Sequence, residues 1–297
     1  MLRTGALPLA LLLAALVFAP VPGVSQTHQT QSLHAQARER VAVDLELVLA
    51  VDVSLSVDAE EALLQRQGYV KAFRDPLVID AIGAGILGRI AVTYFEWANS
   101  AHTQLVVDWT LIDSPGSALR FADALEQRRP GPAHYTSISG AIDFGTRLFK
   151  DNGFDGTRQV IDVSGDGPNN WGDLVHHARD RAVDQGVTIN GLPILDQSTG
   201  PFSRYNIPNL DLYYRDCVIG GPAAFIVVAE NFGAFASAIR RKLILEIAGL
   251  TPAAPPPLRK VAGPLPKVQL AQAIEEPRVS PPCDIGEQLL RSRDEDF

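Results

Sequence analysis

Between residues 44 and 249 the chain alternates short apolar runs with segments of helical periodicity. Apolar runs at 45–51, 88–98, 103–112, 158–165, 187–194 and 224–229 predict strands. Segments at 58–74, 117–127, 136–149, 172–186 and 231–248 predict helices. In the first of these, Leu63, Leu64, Val70 and Phe73 fall near helical spacing, which marks them as its inward face. The strands at 88–98 and 103–112 follow each other closely and are expected to pair antiparallel; the others are separated by helices and are expected to run parallel. The fold class is therefore α/β: a doubly wound, mostly parallel sheet with one antiparallel edge strand and helices on both faces.

Outside this body the pattern changes. Residues 1–25 carry Arg3, an apolar stretch and then small residues, the signature of a signal peptide. Its removal leaves no transmembrane segment and an exported chain, periplasmic or secreted. Residues 26–43 read as a flexible lead-in. Residues 250–297 open proline-rich, end charged, and read as a loosely ordered tail. The 297 residues are 46% hydrophobic and 20% charged, ordinary for a globular protein. A net charge of −8 with no basic cluster argues against nucleic acid as a partner. Cys217 and Cys283, an even pair in an exported chain, can form a disulfide that staples the tail to the body.

The candidate chemistry lies where the first buried strand ends. In "LAVDVSLSVD" the apolar run gives way to Asp52, Ser54 and Ser56, oxygen-bearing side chains at every second position. Ligands of open parallel sheets bind beyond the carboxyl ends of the strands. Thr136, at the start of a later helix, and Asp166, after the strand "QVIDVSGDG", fall at the same rim. So do His134, Asn169 and Asn170, candidate contacts for a partner. An oxygen-only set of two carboxylates and three hydroxyls suits Mg²⁺, with Mn²⁺ or Ca²⁺ as alternatives, rather than Zn²⁺ or Cu²⁺. The competing reading is that these residues only cap the helix beginning near 58. "GAGILG" (83–88) matches a dinucleotide fingerprint literally, but it follows a helix and enters a strand, so it reads as a loop.

D-x-S-x-S after a first apolar strand, a later threonine at a helix start and an Asp-Gly after a central strand together resemble the von Willebrand factor A-type domain. The resemblance covers about residues 44–249 and implies a metal-ion-dependent adhesion site. Asp52, Ser54 and Ser56 match its first segment, Thr136 its threonine and Asp166 its second aspartate. The family then implies a binding module, not an enzyme: the cation accepts an Asp or Glu carboxylate from a protein partner. A metal-dependent hydrolase and a structural envelope protein with a non-functional site are the alternatives. One departure stands out: "SGDG" puts Gly165 where the common T-D-G form has a larger residue. The segment 195–223 reads as an addition to the domain.

Overall fold

The computed structural model describes residues 39–99, 101–127, 134–195, 206–252 and 278–294. The expected signal peptide, residues 1–25, and most of the expected lead-in lie outside them. Its central sheet is built from β2 (Leu45–Asp52), β3 (Ile90–Trp97), β4 (Thr103–Ile112), β6 (Gln159–Gly165) and β7 (Thr188–Pro193). The order is β4-β3-β2-β6-β7. All neighbours are parallel except β3 and β4, so the antiparallel strand is at the edge, as the sequence pattern predicts. Every residue of β2 and β3 is buried, which explains why both read as largely apolar runs.

Helices cover both faces. On one lie α1 (Ala59–Phe73), α2 (Pro76–Gly83), α3 (Pro115–Glu126) and α7 (Phe235–Ala248). On the other lie α4 (Ile138–Leu148), α5 (Val175–Val183), α6 (Leu210–Tyr213) and a π-helical turn at Tyr214–Val218. The chain leaves β2 for β3 on one side and returns to β6 on the other. The carboxyl ends of β2 and β6 therefore flank the switch in strand order, where a ligand has access.

Four expectations change. Leu63 and Leu64 of α1 are exposed, while Gln65 and Arg66 are buried. The inward face of this helix is partly polar because it meets partners there: Gln65 Nε2 donates to the Asp52 carbonyl at 3.0 Å, and Arg66 pairs with Glu96 of β3. Residues 224–229 make no regular strand. They run beside β7 through two isolated parallel bridges, Gly191 with Ile226 and Ile194 with Ala229. Val41–Val43, placed in the lead-in by the sequence, forms β1 and pairs with β5 (Phe154–Gly156) in a separate two-stranded sheet. The tail is not loose where it is described. Residues 278–294 return to the body, form α8 (Ile285–Asp294) and are joined to it by a Cys217–Cys283 disulfide. None of the described helices is long and apolar enough to cross a membrane.

Candidate metal centre at the sheet rim

β2 delivers Asp52 to the rim, and the loop that follows carries Ser54 and Ser56. The Ser54 amide donates to Asp52 Oδ1 at 2.8 Å and folds the loop back over the carboxylate. Ser54 Oγ and Ser56 Oγ are 3.1 Å apart. Ser56 Oγ donates to Asp166 Oδ1 at 2.7 Å, across 110 residues of sequence. Thr136 Oγ1 donates to Ser54 Oγ at 3.2 Å. All five side chains singled out by the sequence thus meet in one continuous cluster. Asp52, Ser54, Thr136 and Asp166 are buried there.

Capping alone does not account for them. The N-terminus of α1 is capped by Asp58, whose carboxylate accepts from the amides of Glu60 and Glu61 at 2.8 Å each. Glu61 completes a capping box by accepting from the Asp58 amide. Asp52, Ser54 and Ser56 stand outside that arrangement.

The cluster is electrostatically incomplete. Asp52 Oδ2 is buried with no hydrogen-bond partner. Burial, and then the charge of Asp166, push the Asp52 carboxyl well above the usual carboxylate range. A buried carboxylate oxygen without a donor, beside a second carboxylate, is costly on its own. A cation would remove both costs, so the donor set fits a hard divalent ion. Among the described residues no group of three or more His, Cys, Asp or Glu is gathered for a metal, so an ion held here would need the hydroxyls as ligands.

A second layer holds these residues in place. The Thr136 amide donates to Asn170 Oδ1 and the Asn170 amide donates to the Thr136 carbonyl, each at 2.8 Å. Asn169 Oδ1 accepts from the Ser139 amide at 2.9 Å, at the start of α4. Both asparagines are buried, so the structure places them as braces of the Thr136 loop. His134 is exposed at the rim, and its carbonyl accepts from Asn99 Nδ2 at 2.7 Å. Beside it Tyr135 takes a left-handed backbone, φ 67°, and stacks on Trp171 with ring centroids 4.4 Å apart. Both rings are exposed.

The departure at Gly165 has a steric cause. A Cβ there would lie 2.8 Å from the Tyr214 hydroxyl and 2.9 Å from Asp52 Oδ2. Tyr214, from the segment 195–223, brings its hydroxyl to the same space beside Gly165 that Asp52 Oδ2 borders. Sequence reading missed it, although a glycine at a motif position was the available signal of a close approach.

Residues 42–251 match the family described as Protein of unknown function (DUF1194). The chain belongs to that family. No curated protein matches it. Two structures of proximal thread matrix protein 1 from the mussel byssus share the fold. One aligns at 13% identity and a TM-score of 0.51, covering 71% of this chain and 49% of that one. The other aligns at 12% identity and a TM-score of 0.50, covering 70% and 48%. The DUF1194 chain thus spans about half the length of those structures. The BatB protein from Bacteroides thetaiotaomicron aligns at 18% identity and a TM-score of 0.42, covering 69% of this chain and 99% of that one. The fold of this DUF1194 chain is that of the von Willebrand factor A-type domain.

Proposed function

We propose that Asp52, Ser54, Ser56, Thr136 and Asp166 hold a divalent cation, and that the chain is an exported module binding an acidic group of a protein partner through it. The observation that carries this reading is the convergence of the five side chains around an Asp52 oxygen that is buried without a donor. The donor set is hard and oxygen-only, which favours Mg²⁺, then Mn²⁺ or Ca²⁺. Two carboxylates formally balance a divalent ion and the hydroxyls add no charge, so a coordination position left open would still be electrophilic and would accept an anionic oxygen. The chain's own residues do the rest. Asp52 and Asp166 provide the charge, the three hydroxyls orient toward the centre, and Asn170 keeps Thr136 in reach.

The alternating hydroxyls, the Asp-Gly after β6 and the A-type fold support the same reading. The apolar leader and the disulfide support an oxidising, exported location. Bacterial export to the periplasm or beyond is part of the proposal.

Thermal unfolding of the full chain with Mg²⁺, Mn²⁺ or Ca²⁺, and with chelator, tests the site. An ion at 100 times its Kd stabilises by about 2.7 kcal/mol. For a domain of this size that raises Tm by roughly 5–10 °C. The shift is expected in the wild type and absent in Asp52→Ala. No shift with any ion would reject the adhesion-site mechanism.

A further inference from the structure

The segment that packs on Asn169 and Asn170 lies beyond the 42–251 span matched by the family. At Gly286, in the first turn of α8, a Cβ would sit 1.9 Å from the Asn169 carbonyl oxygen and 3.2 Å from the Asn170 side chain. The helix therefore packs its backbone directly on the loop that braces Thr136, and only glycine allows that approach. One residue further, Glu287 Oε1 accepts from Asn169 Nδ2 at 2.6 Å. Asn169 in turn accepts from the Ser139 amide, and its neighbour Asn170 holds both backbone polar groups of Thr136.

The other half of the disulfide reaches the same loop. Cys217 lies in the π-helical turn that begins at Tyr214. The Tyr213 hydroxyl accepts from the Asn169 amide at 3.1 Å and lies 3.5 Å from the Cys283 carbonyl. Tyr214 places its hydroxyl against the space beside Asp52 Oδ2 at Gly165. Further tail contacts fix the approach: Asn209 Nδ2 donates to the Val279 carbonyl at 3.0 Å, and Ser280 Oγ donates to the Leu212 carbonyl at 3.3 Å. Both cysteines thus belong to segments that grip Asn169.

We propose that the C-terminal helix is a working part of the cation site: Glu287 and Gly286, tethered by Cys217–Cys283, position the Asp166–Trp171 loop and through it Thr136. Glu287 is a positioning residue that acts through Asn169. Partners that orient metal ligands in this way typically change ion affinity 10- to 100-fold when removed. The affinity consequence rests on the cation reading above; the positioning itself does not.

Hydrogen exchange of the full-length chain without metal tests the positioning. Gly286→Ala and the Cys217→Ser/Cys283→Ser double variant are expected to accelerate exchange about tenfold at 136–140 and 167–173, while α3 keeps its wild-type protection. Mn²⁺ titration of the same proteins should show a Kd about tenfold larger. Glu287→Ala should behave likewise, and Glu287→Gln, which keeps an acceptor for Asn169, should restore both readouts. Unchanged exchange at the two segments, or acceleration spread evenly through α3, would overturn the proposal. If the wild type binds no Mn²⁺, the cation reading fails, and exchange alone decides whether α8 holds the loop.

Discussion

The Tyr214 hydroxyl occupies the space that a side chain at Gly165 would need, with a Cβ there only 2.8 Å away. Gly165→Thr, which restores the common motif residue, should therefore destabilise the protein by about 1–3 kcal/mol, the usual cost of overpacking. Combining it with Tyr214→Phe should recover part of the loss, because the nearest obstructing atom is gone. Urea unfolding of the two single variants and the double variant measures that coupling; strict additivity would show that the two positions do not compete for space.

Asp58 and Asp52 are six positions apart and do different work. Asp58→Ala removes the α1 cap and should cost about 1 kcal/mol of stability while leaving ion-induced stabilisation intact. Asp52→Ala should abolish the ion response. Calorimetric scans with and without Mn²⁺ separate the two, and loss of the response in Asp58→Ala would mean that the cap and the site are one unit.

Beneath the sheet, Lys242 is fully buried and paired with Asp162 at 2.6 Å and with Glu246. Burial, then the charge of Glu246, outweigh the lysine and push the Asp162 carboxyl up to about 7. The folded state thus holds this proton more tightly than the unfolded chain does. Its stabilising contribution is complete below the ordinary carboxylate pKa and is lost as pH rises through about 7. The full shift corresponds to roughly 4 kcal/mol as an upper bound. The stability of the wild type relative to Asp162→Asn should therefore decline between pH 4 and 7, and a flat difference across that range would refute the assignment.

Arg66 and Glu96 form a second buried pair, between α1 and β3. Burial raises the Glu96 carboxyl, and the Arg66 charge opposes that rise. Glu96→Leu alone removes the buried carboxylate that faces the Arg66 guanidinium and should cost about 3–5 kcal/mol. Arg66→Met with Glu96→Leu should lie much closer to wild type. Chemical denaturation of the single and double variants checks this, and equal losses would mean that the pair contributes more than it costs to bury.

Reducing agent should lower Tm, because the loop-entropy model assigns about 4 kcal/mol to a cross-link of this span. The Cys217→Ser/Cys283→Ser variant should match the reduced wild type and lose its sensitivity to reductant. A wild type indifferent to reductant would show that the bond does not form in solution.

Local chemistry along the chain was enough to find most elements. The buried strands read as apolar runs because both of their faces are covered, and 103–112 matches β4 end to end. The motif residues were legible because short-range spacing and chain order alone carry the resemblance: Asp52, Ser54 and Ser56 before one helix, Thr136 before another, Asp166 after a central strand. Their meeting within hydrogen-bond distance depended on strand order, which brings β2 and β6 side by side.

What the sequence could not disclose lies in contacts made far along the chain. Leu63 and Leu64 look like the inward face of α1, yet polar partners on β2 and β3 select Gln65 and Arg66 for burial instead. Residues 224–229 have strand composition, but β7 offers them only isolated bridges, so no ladder propagates. The tail has too few apolar residues to announce a packed element. Its helix is held by a disulfide 66 residues long in sequence and by Glu287, 118 residues from the asparagine it grips. Periodicity and propensity report how a segment prefers to fold; which distant segment supplies the missing donor, charge or space is decided only when the sheet and its two helical layers are assembled.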